Sequence, residues 1–564
     1  MTTPAPLAGA GRVAGAAALI AVLTVVSRLA GFGRTAVFTW VVQESDLGGM
    51  YVIANTAPNI IFEVVAGGAL ASLVVPLLAG AVAAGDRRAV NATTGALLTW
   101  TVVLLVPLAV LVALLAGPIV ALLSEGRSAA ELAAGARMLR VFAPQLPLYG
   151  VGIVLTGVLQ AHRRFAWPVI APLLSSVTVI GVYLTFGAAE GRAASVAQVD
   201  IGGELILSAG TTLGVVVLSL SLLIPLRRLR LRVRPGFAFP ADARARVGGL
   251  AVAGAVTVTT QQIALAVMLN RVSGGPTGSP QVFNLAQTIY LLPWAVLAVP
   301  LATAAYPTLA AAAAGGDEQG YRRTVAGTTR GVLLFSCLGA AALIGTALPV
   351  GHFFPLNPQV TAAAIVGFAP GLVGYGLFAV LSRALYAHGA TRPATVAVSL
   401  GWLVVPVVAV LLAQAFPVAE RVPAVTLANS VGMLVLGALL VGAVRRAAGA
   451  AALAGLTRAG AAGLLGGALA ALAGWAVSRA LASAGDGTPG APTALLQGML
   501  SGVLVGAVFL AVVWALDRPD VRPLLAGVLR RLGGARRRAT APTGGSHDDG
   551  VPPERGDGKE TVSR

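Results

Sequence analysis

Apolar residues run along this chain in stretches of twenty or more, separated by short polar loops. A run of that length winds into an α-helix able to cross about 30 Å of hydrocarbon. The pattern predicts helices over 13–42, 50–82, 91–122, 137–161, 166–187, 205–228, 246–270, 282–312, 326–349, 361–387, 394–415, 424–445, 458–482 and 493–516. The expected fold is an all-α polytopic membrane protein of about 14 transmembrane helices. Beyond residue 516 the chain becomes rich in Arg, Gly, Pro, Asp and Glu, and 517–564 reads as a disordered basic tail.

Loop charge orients the helices. Arg87 and Arg88, Arg163 and Arg164, a group from Arg227 to Arg246, Arg322 and Arg323, Arg392, and Arg445, Arg446 and Arg458 fall in alternate loops. The intervening loops are poor in arginine: the first is Gln43-Glu44-Ser45-Asp46, and 272–281 carries no charge. This positive-inside alternation predicts cytoplasmic termini and an even number of spans. The tail arginines Arg530, Arg531, Arg536, Arg537 and Arg538 read as a topology anchor, with contact to anionic headgroups as the alternative.

The helices repeat. Pro76-Leu77-Leu78-Ala79 followed by Gly85-Asp86 returns as Pro307-Thr308-Leu309-Ala310 followed by Gly316-Asp317. Leu159-Gln160-Ala161-His162 returns as Leu385-Tyr386-Ala387-His388. The offset of about 230 residues equals six helices, so an N-lobe (1–230) and a C-lobe (231–450) are parallel copies, and the helices of 451–516 are additional. Two such lobes about a central site form a transporter architecture.

Composition narrows the function further. Apolar residues make up 57% of the chain and charged residues 11%, with a mean hydropathy of +0.86. The net charge of +18 comes almost entirely from arginine, Lys559 being the one lysine. Its alternation between loops accounts for it without nucleic acid as a partner. A single cysteine, Cys337, and four histidines leave no basis for a disulfide or zinc site. Arg12 and the apolar stretch after it read as an uncleaved first span. No nucleophile elbow, nucleotide-binding loop or paired carboxylates are present, so neither an enzyme nor a cofactor is expected. Transport would then draw on an ion gradient, the substrate gradient or the membrane potential.

Polar groups inside the spans are the candidate site, because such groups are costly in hydrocarbon. Helix 1 carries Arg28 and Arg34, about 120° apart around a helix, so one broad face holds both. Arg28 reads as lining a cavity for an anionic headgroup, or as pairing with a buried acid. Asn55, Asn59 and Glu63 share one face of helix 2. Glu63 reads either as the counter-charge of Arg28 or as a proton- or cation-coupling group. Gln261, Gln262 and Asn270 on helix 7, with Asn284, Gln287 and Thr288 on helix 8, are the expected second half of a polar cavity or inter-helix hydrogen-bonding groups, and Arg271 belongs either to that cavity or to the outer interface. Pro58, Pro293 and Pro300, with Gly67 and Gly68, interrupt helices 2 and 8 and read as hinges or close-packing sites.

Ser27-Arg28, Gly31 and Arg34, then Pro58-Asn59, Gly67-Gly68-Ala69 and Val75-Pro76-Leu77-Leu78-Ala79, resemble in order and spacing the opening motifs of the MurJ/MviN-type lipid II flippase family. That family lies within the MATE-like multidrug/oligosaccharidyl-lipid/polysaccharide exporter superfamily. Leu381 to Gly389, followed by Thr391-Arg392-Pro393, resembles the end of the family's helix 10. The resemblance implies a flippase in the bacterial inner membrane, acting in cell-wall synthesis. Its substrate would be a polyprenyl-pyrophosphate-linked saccharide, lipid II above all. Arg28 and Arg34 would meet the pyrophosphate, and helices 13 and 14 would guide the lipid tail. Lipid-linked glycan, membrane lipids and cell-wall synthesis proteins are the implied partners. By that resemblance, Gly49 and Gly67 stand where the family usually has an acid, Phe62 and Glu63 near where it often has an arginine, and Gln287-Thr288 where it has an acid-arginine pair, so an expected arginine is missing from each lobe. A cation-coupled exporter of small amphiphiles and a non-transporting scaffold are the alternatives.

Overall fold

The computed structural model describes residues 10–229, 231, 233–238, 243–483, 489–520 and 522. The expected tail arginines from Arg530 onward lie outside the described residues.

The helices are α1 (Ala10–Val42), α2 (Asp46–Phe62 and Gly68–Ala83), α3 (Arg87–Leu114), α4 (Ala129–Ala161), α5 (Trp167–Ala189), α6 (Ile201–Arg227) and α7 (Ala243–Ser273). They continue as α8 (Ser279–Ala314), α9 (Glu318–Gly345), α10 (Pro358–Ala387), α11 (Thr391–Ala415), α12 (Arg421–Ala448), α13 (Leu456–Ser483) and α14 (Ala491–Leu516). Each expected segment coincides with one of them. Thirteen among the described residues, α2 to α14, are long and apolar enough to cross a membrane. α1 has 33 residues, enough to cross as well, and carries both candidate arginines. The protein is therefore a multi-pass membrane protein. Leu104, Leu114, Leu472 and Val503 stand exposed on the outside, as they must when lipid is the solvent.

The repeat is visible in the backbone. A π turn at Glu63–Gly67 interrupts α2 and another at Trp294–Ala298 interrupts α8. Both helices end in a glycine with positive φ, Gly85 at 69° and Gly316 at 70°. An aspartate then caps the next helix: Asp86 accepts from the amides of Arg88 and Ala89, and Asp317 from that of Gly320. Residues 63 and 294, 76 and 307, 85 and 316, and 86 and 317 are each 231 apart. Helices α1 to α6 and α7 to α12 thus form two pseudo-symmetric lobes.

α13 and α14 pack on each other and on α9. A Cβ on Gly345 or Gly474 would collide with the facing backbone or Val505, so both glycines permit the close approach. The Ser478 hydroxyl bonds to the Gly345 carbonyl and to Ser501, each at 2.8 Å.

Candidate functional site

Polar residues of α1, α2, α4, α5, α6 and α8 converge between the lobes. A cavity of about 270 Å³ is lined by Arg34, Asn55, Asn59, Tyr149, Asn284 and Gln287, with Leu265 and Leu269 from α7. A second, of about 590 Å³, opens between α1, α5 and α8, lined by Ser27, Arg28, Gly31, Arg34 and Thr288. A third, about 80 Å³, lies where Arg34 meets Tyr51, Tyr183 and Thr211. Arg34 lines all three. A fourth, about 360 Å³, adjoins through Asn59 and Tyr149 and holds Glu63, Thr156 and Gln160.

The charges in this space are not neutralised by protein. Arg28 is exposed, and Arg34 and Glu63 are half-buried. Among the described residues none of the three has an ion-pair partner. The pairing of Glu63 with Arg28 read from sequence is therefore absent. The two groups line different cavities, and the Glu63 carboxylate instead folds back over Gly67, occupying the space a side chain there would need. The wall behind Arg34 is a hydroxyl cluster. Tyr51 bonds to Tyr183 at 2.8 Å and to Thr211 at 2.7 Å. Such a wall satisfies its own polar atoms and leaves the guanidinium free for an anion.

The face opposite the arginine-rich loops is closed across the lobes by a polar clasp. Glu125, after α3, takes Arg271 of α7 and Arg421 of α12, each at 3.3 Å. The buried Gln281 amide at the start of α8 donates to the carbonyls of Gln43 (3.2 Å) and Ser45 (2.6 Å). The Asn270 amide donates to the Leu122 carbonyl at 3.0 Å, and Glu44 accepts from the Asn357 backbone. One end is thus latched while the α1–α8 side gives onto the larger cavity.

A family model described as "Lipid II flippase MurJ" matches residues 44–484. The chain belongs to the lipid II flippase MurJ family. A lipid II flippase MurJ from Burkholderia cenocepacia is 25% identical over 376 residues, covering 64% of this chain and 71% of that one. A probable lipid II flippase MurJ from Rhizobium meliloti is 24% identical, covering 65% and 69%. A solved structure of lipid II flippase MurJ in an inward closed conformation superposes with a TM-score of 0.67 at 19% identity, covering 88% of this chain and 99% of that chain. An inward-facing MATE family multidrug transporter of the MOP superfamily follows the same fold at 0.61 and 13% identity, covering 76% and 98%. A member of the MurJ family is a transport protein of the inner membrane and not an enzyme.

Within this MurJ-family fold, the sequence-derived candidates divide. Arg28, Arg34, Asn55, Asn59, Gln287 and, in the adjoining space, Glu63 line the cavities. Asn270 does not: its amide and carbonyl are engaged by Leu122 and the Arg271 guanidinium in the clasp. Gln261 is half-buried and absent from the lining, although it lies on the stripe that Leu265 and Leu269 continue. α7 therefore presents aliphatic side chains where polar ones were expected. Among the hinge candidates, Gly68 is a packing site, its Cα facing the Gly254 carbonyl of α7. Pro293 directly precedes the second π turn, Pro58 lies five residues before the first, and Pro300 stands just past the second.

The two π turns carry opposite chemistry. Glu63 in the N-lobe faces a cavity, whereas Trp294 stacks on Tyr375 with ring centroids 4.6 Å apart and donates to its carbonyl. Tyr290 and Phe368 extend that stack. The C-lobe counterpart is filled with rings, which concentrates the charged part of the site in the N-lobe. The tyrosines Tyr51, Tyr149 and Tyr183 were not legible as site residues. A tyrosine in an apolar run looks like core until the fold shows what its hydroxyl meets. The pair of half-exposed Arg137 and buried Glu204, bonded at 2.8 Å and 2.5 Å between α4 and α6, likewise has no signal in the sequence, since each residue lies near the end of an apolar run.

Proposed function

We propose that this chain carries lipid II, a polyprenyl-pyrophosphate-linked saccharide, from the inner to the outer leaflet by alternating access. The observation that carries the reading is the pair Arg28 and Arg34, unpaired among the described residues and facing space between two lobes. A pyrophosphate supplies the missing anion, and a guanidinium takes it through paired N–H bonds. Asn55, Asn59 and Gln287 offer hydrogen bonds to the saccharide, and the prolines and π turns of α2 and α8 supply the flexure. Lobes of 1–230 and 231–450 would rock about the site, with 451–516 as the lipid-tail groove and 517–564 as a cytoplasmic tail. Arginine-rich loops favour cytoplasmic termini, which puts the clasp on the outer side. Moving one charge through 100 mV is worth about 2.3 kcal/mol, so the potential is a sufficient drive.

Glu63 supports a cation-coupled variant of the same cycle, because a carboxylate without an ion-pair partner among the described residues, in a largely apolar intramembrane cavity, is a cation or proton site by chemistry. The test is depletion in the host with complementation by variants, scoring on which leaflet the lipid-linked precursor collects. Loss of flipping with Arg28→Ala supports the proposal. Wild-type outer-leaflet delivery by that variant overturns it.

A further inference from the structure

The segment joining the lobes has chemistry that transport does not use. Residues 228–234 alternate basic and aliphatic: Arg228, Leu229, Arg230, Leu231, Arg232, Val233, Arg234. Arg228 and Leu229 form a turn, their amides donating to the carbonyls of Pro225 at 3.2 Å and Leu226 at 2.9 Å. α6 ends at Arg227, and 233–238 have no regular secondary structure. Leu229 packs against the buried cluster of Leu155, Leu159, Ala171 and Leu222, and Leu231 against the cluster that includes Val90 and Leu97 of α3.

The strap is then fastened to α3. A Cβ on Gly95 would fall on the Arg234 carbonyl oxygen. The Gly236 amide donates to the Thr99 hydroxyl at 3.2 Å. The Trp100 indole donates to the Phe237 carbonyl at 3.1 Å, and the two rings meet edge-on with centroids 5.5 Å apart. A loop that only set topology would need charge, not a docked backbone.

Its depth follows from α3. Large exposed apolar side chains begin at Trp100 and continue through Val102, Val103 and Leu104, whereas Arg87 and Arg88 open the helix in an exposed stretch. Trp100 therefore marks the edge of the hydrocarbon, where indole is favoured. Gly95 lies five residues earlier, about 7.5 Å along the helix. That puts the Arg234 backbone at the level of headgroup phosphates. Arg227, Arg228 and Arg234 are exposed and, among the described residues, without a carboxylate partner.

We propose that this strap is a binding surface for the phosphates of anionic phospholipid, and that bound lipid holds the inter-lobe linker on α3. The full chain in proteoliposomes tests it through Trp100 fluorescence, taken as the difference between wild type and Trp100→Phe. Brominated phosphatidylglycerol at low mole fraction should quench that signal several-fold more than brominated phosphatidylcholine. The preference should fall to parity in Arg228→Gln/Arg234→Gln, which keeps the strap's leucines and its backbone hydrogen bonds to α3, and in Gly95→Leu, which displaces the strap and keeps its arginines. Equal quenching by the two lipids in the wild type overturns the proposal, as does a preference that survives the double variant. Displacement of the phosphatidylglycerol by stoichiometric undecaprenyl pyrophosphate would assign the strap to the transported lipid and overturn it as well.

Discussion

At the residue scale, what matters is whether each intramembrane charge has a partner. Among the described residues Arg28 and Arg34 have none, so their value lies in what enters beside them. Replacing either with alanine should abolish outer-leaflet delivery of precursor. Arg34→Lys should restore only part of it, because an ammonium lacks the planar fork. Host complementation combined with leaflet assignment measures both. Arg137 and Glu204 are the contrasting case, a fork-to-carboxylate pair in which Glu204 is buried and Arg137 half-exposed. Arg137→Met leaves a buried carboxylate without its donor and should cost about 1–3 kcal/mol, the range for an unsatisfied buried polar group. Arg137→Met/Glu204→Gln should recover most of that loss in a detergent thermal-unfolding measurement. A double variant no more stable than Arg137→Met would show that the carboxylate is not what the single variant exposes. Sequence reveals that a charge lies in an apolar run but not what stands opposite it.

At the element scale, α2 is the most informative helix. Its polar face reaches the cavity through Asn55 and Asn59, its π turn begins at Glu63 in the adjoining cavity, and Gly68 brings it against α7. A side chain at 68 must push the Gly254 backbone away, while Gly80 of the same helix has nothing within 4 Å of its Cβ position. Gly68→Leu should therefore impair transport and lower thermal stability, whereas Gly80→Leu should leave both near wild type. Equal effects at the two positions would mean that the loss comes from helix composition and not from the lobe contact. The π turns themselves have no local signature: Glu63–Gly67 and Trp294–Ala298 share no obvious motif. Only their place in the repeat relates them, and the fold makes that relation visible.

On the scale of the whole molecule, the clasp decides which side is shut. Glu125 anchors two arginines of the opposite lobe at partly exposed positions, where an ion pair contributes up to about 1 kcal/mol. Glu125→Gln should move the lobe equilibrium roughly tenfold toward opening on that face. In a Cys337→Ser background, a cysteine at Asn55 should then react faster with a membrane-impermeant thiol reagent added from the clasp side. An unchanged rate would show that the clasp does not hold the lobes. In sequence Asn270 and Arg271 fit a polar cavity, and in the fold both are part of this latch. Position on a helix end is ambiguous between cavity and gate, because both are polar and lie one or two turns apart.

Hydropathy alone set the number, order and rough limits of the helices, since unpaired backbone cannot cross hydrocarbon and each apolar run must become one span. The arginine alternation and the recurring proline and glycine-aspartate signals likewise carried the two-lobe repeat, because topology and local turns are written in short stretches of chain. Which polar side chains share a cavity, which ones latch the lobes, and why one lobe presents a carboxylate where the other stacks a tryptophan were decided by tertiary packing. Those facts depend on residues more than a hundred positions apart, such as Tyr51 with Thr211 and Gln281 with Ser45, whose meeting no local pattern encodes.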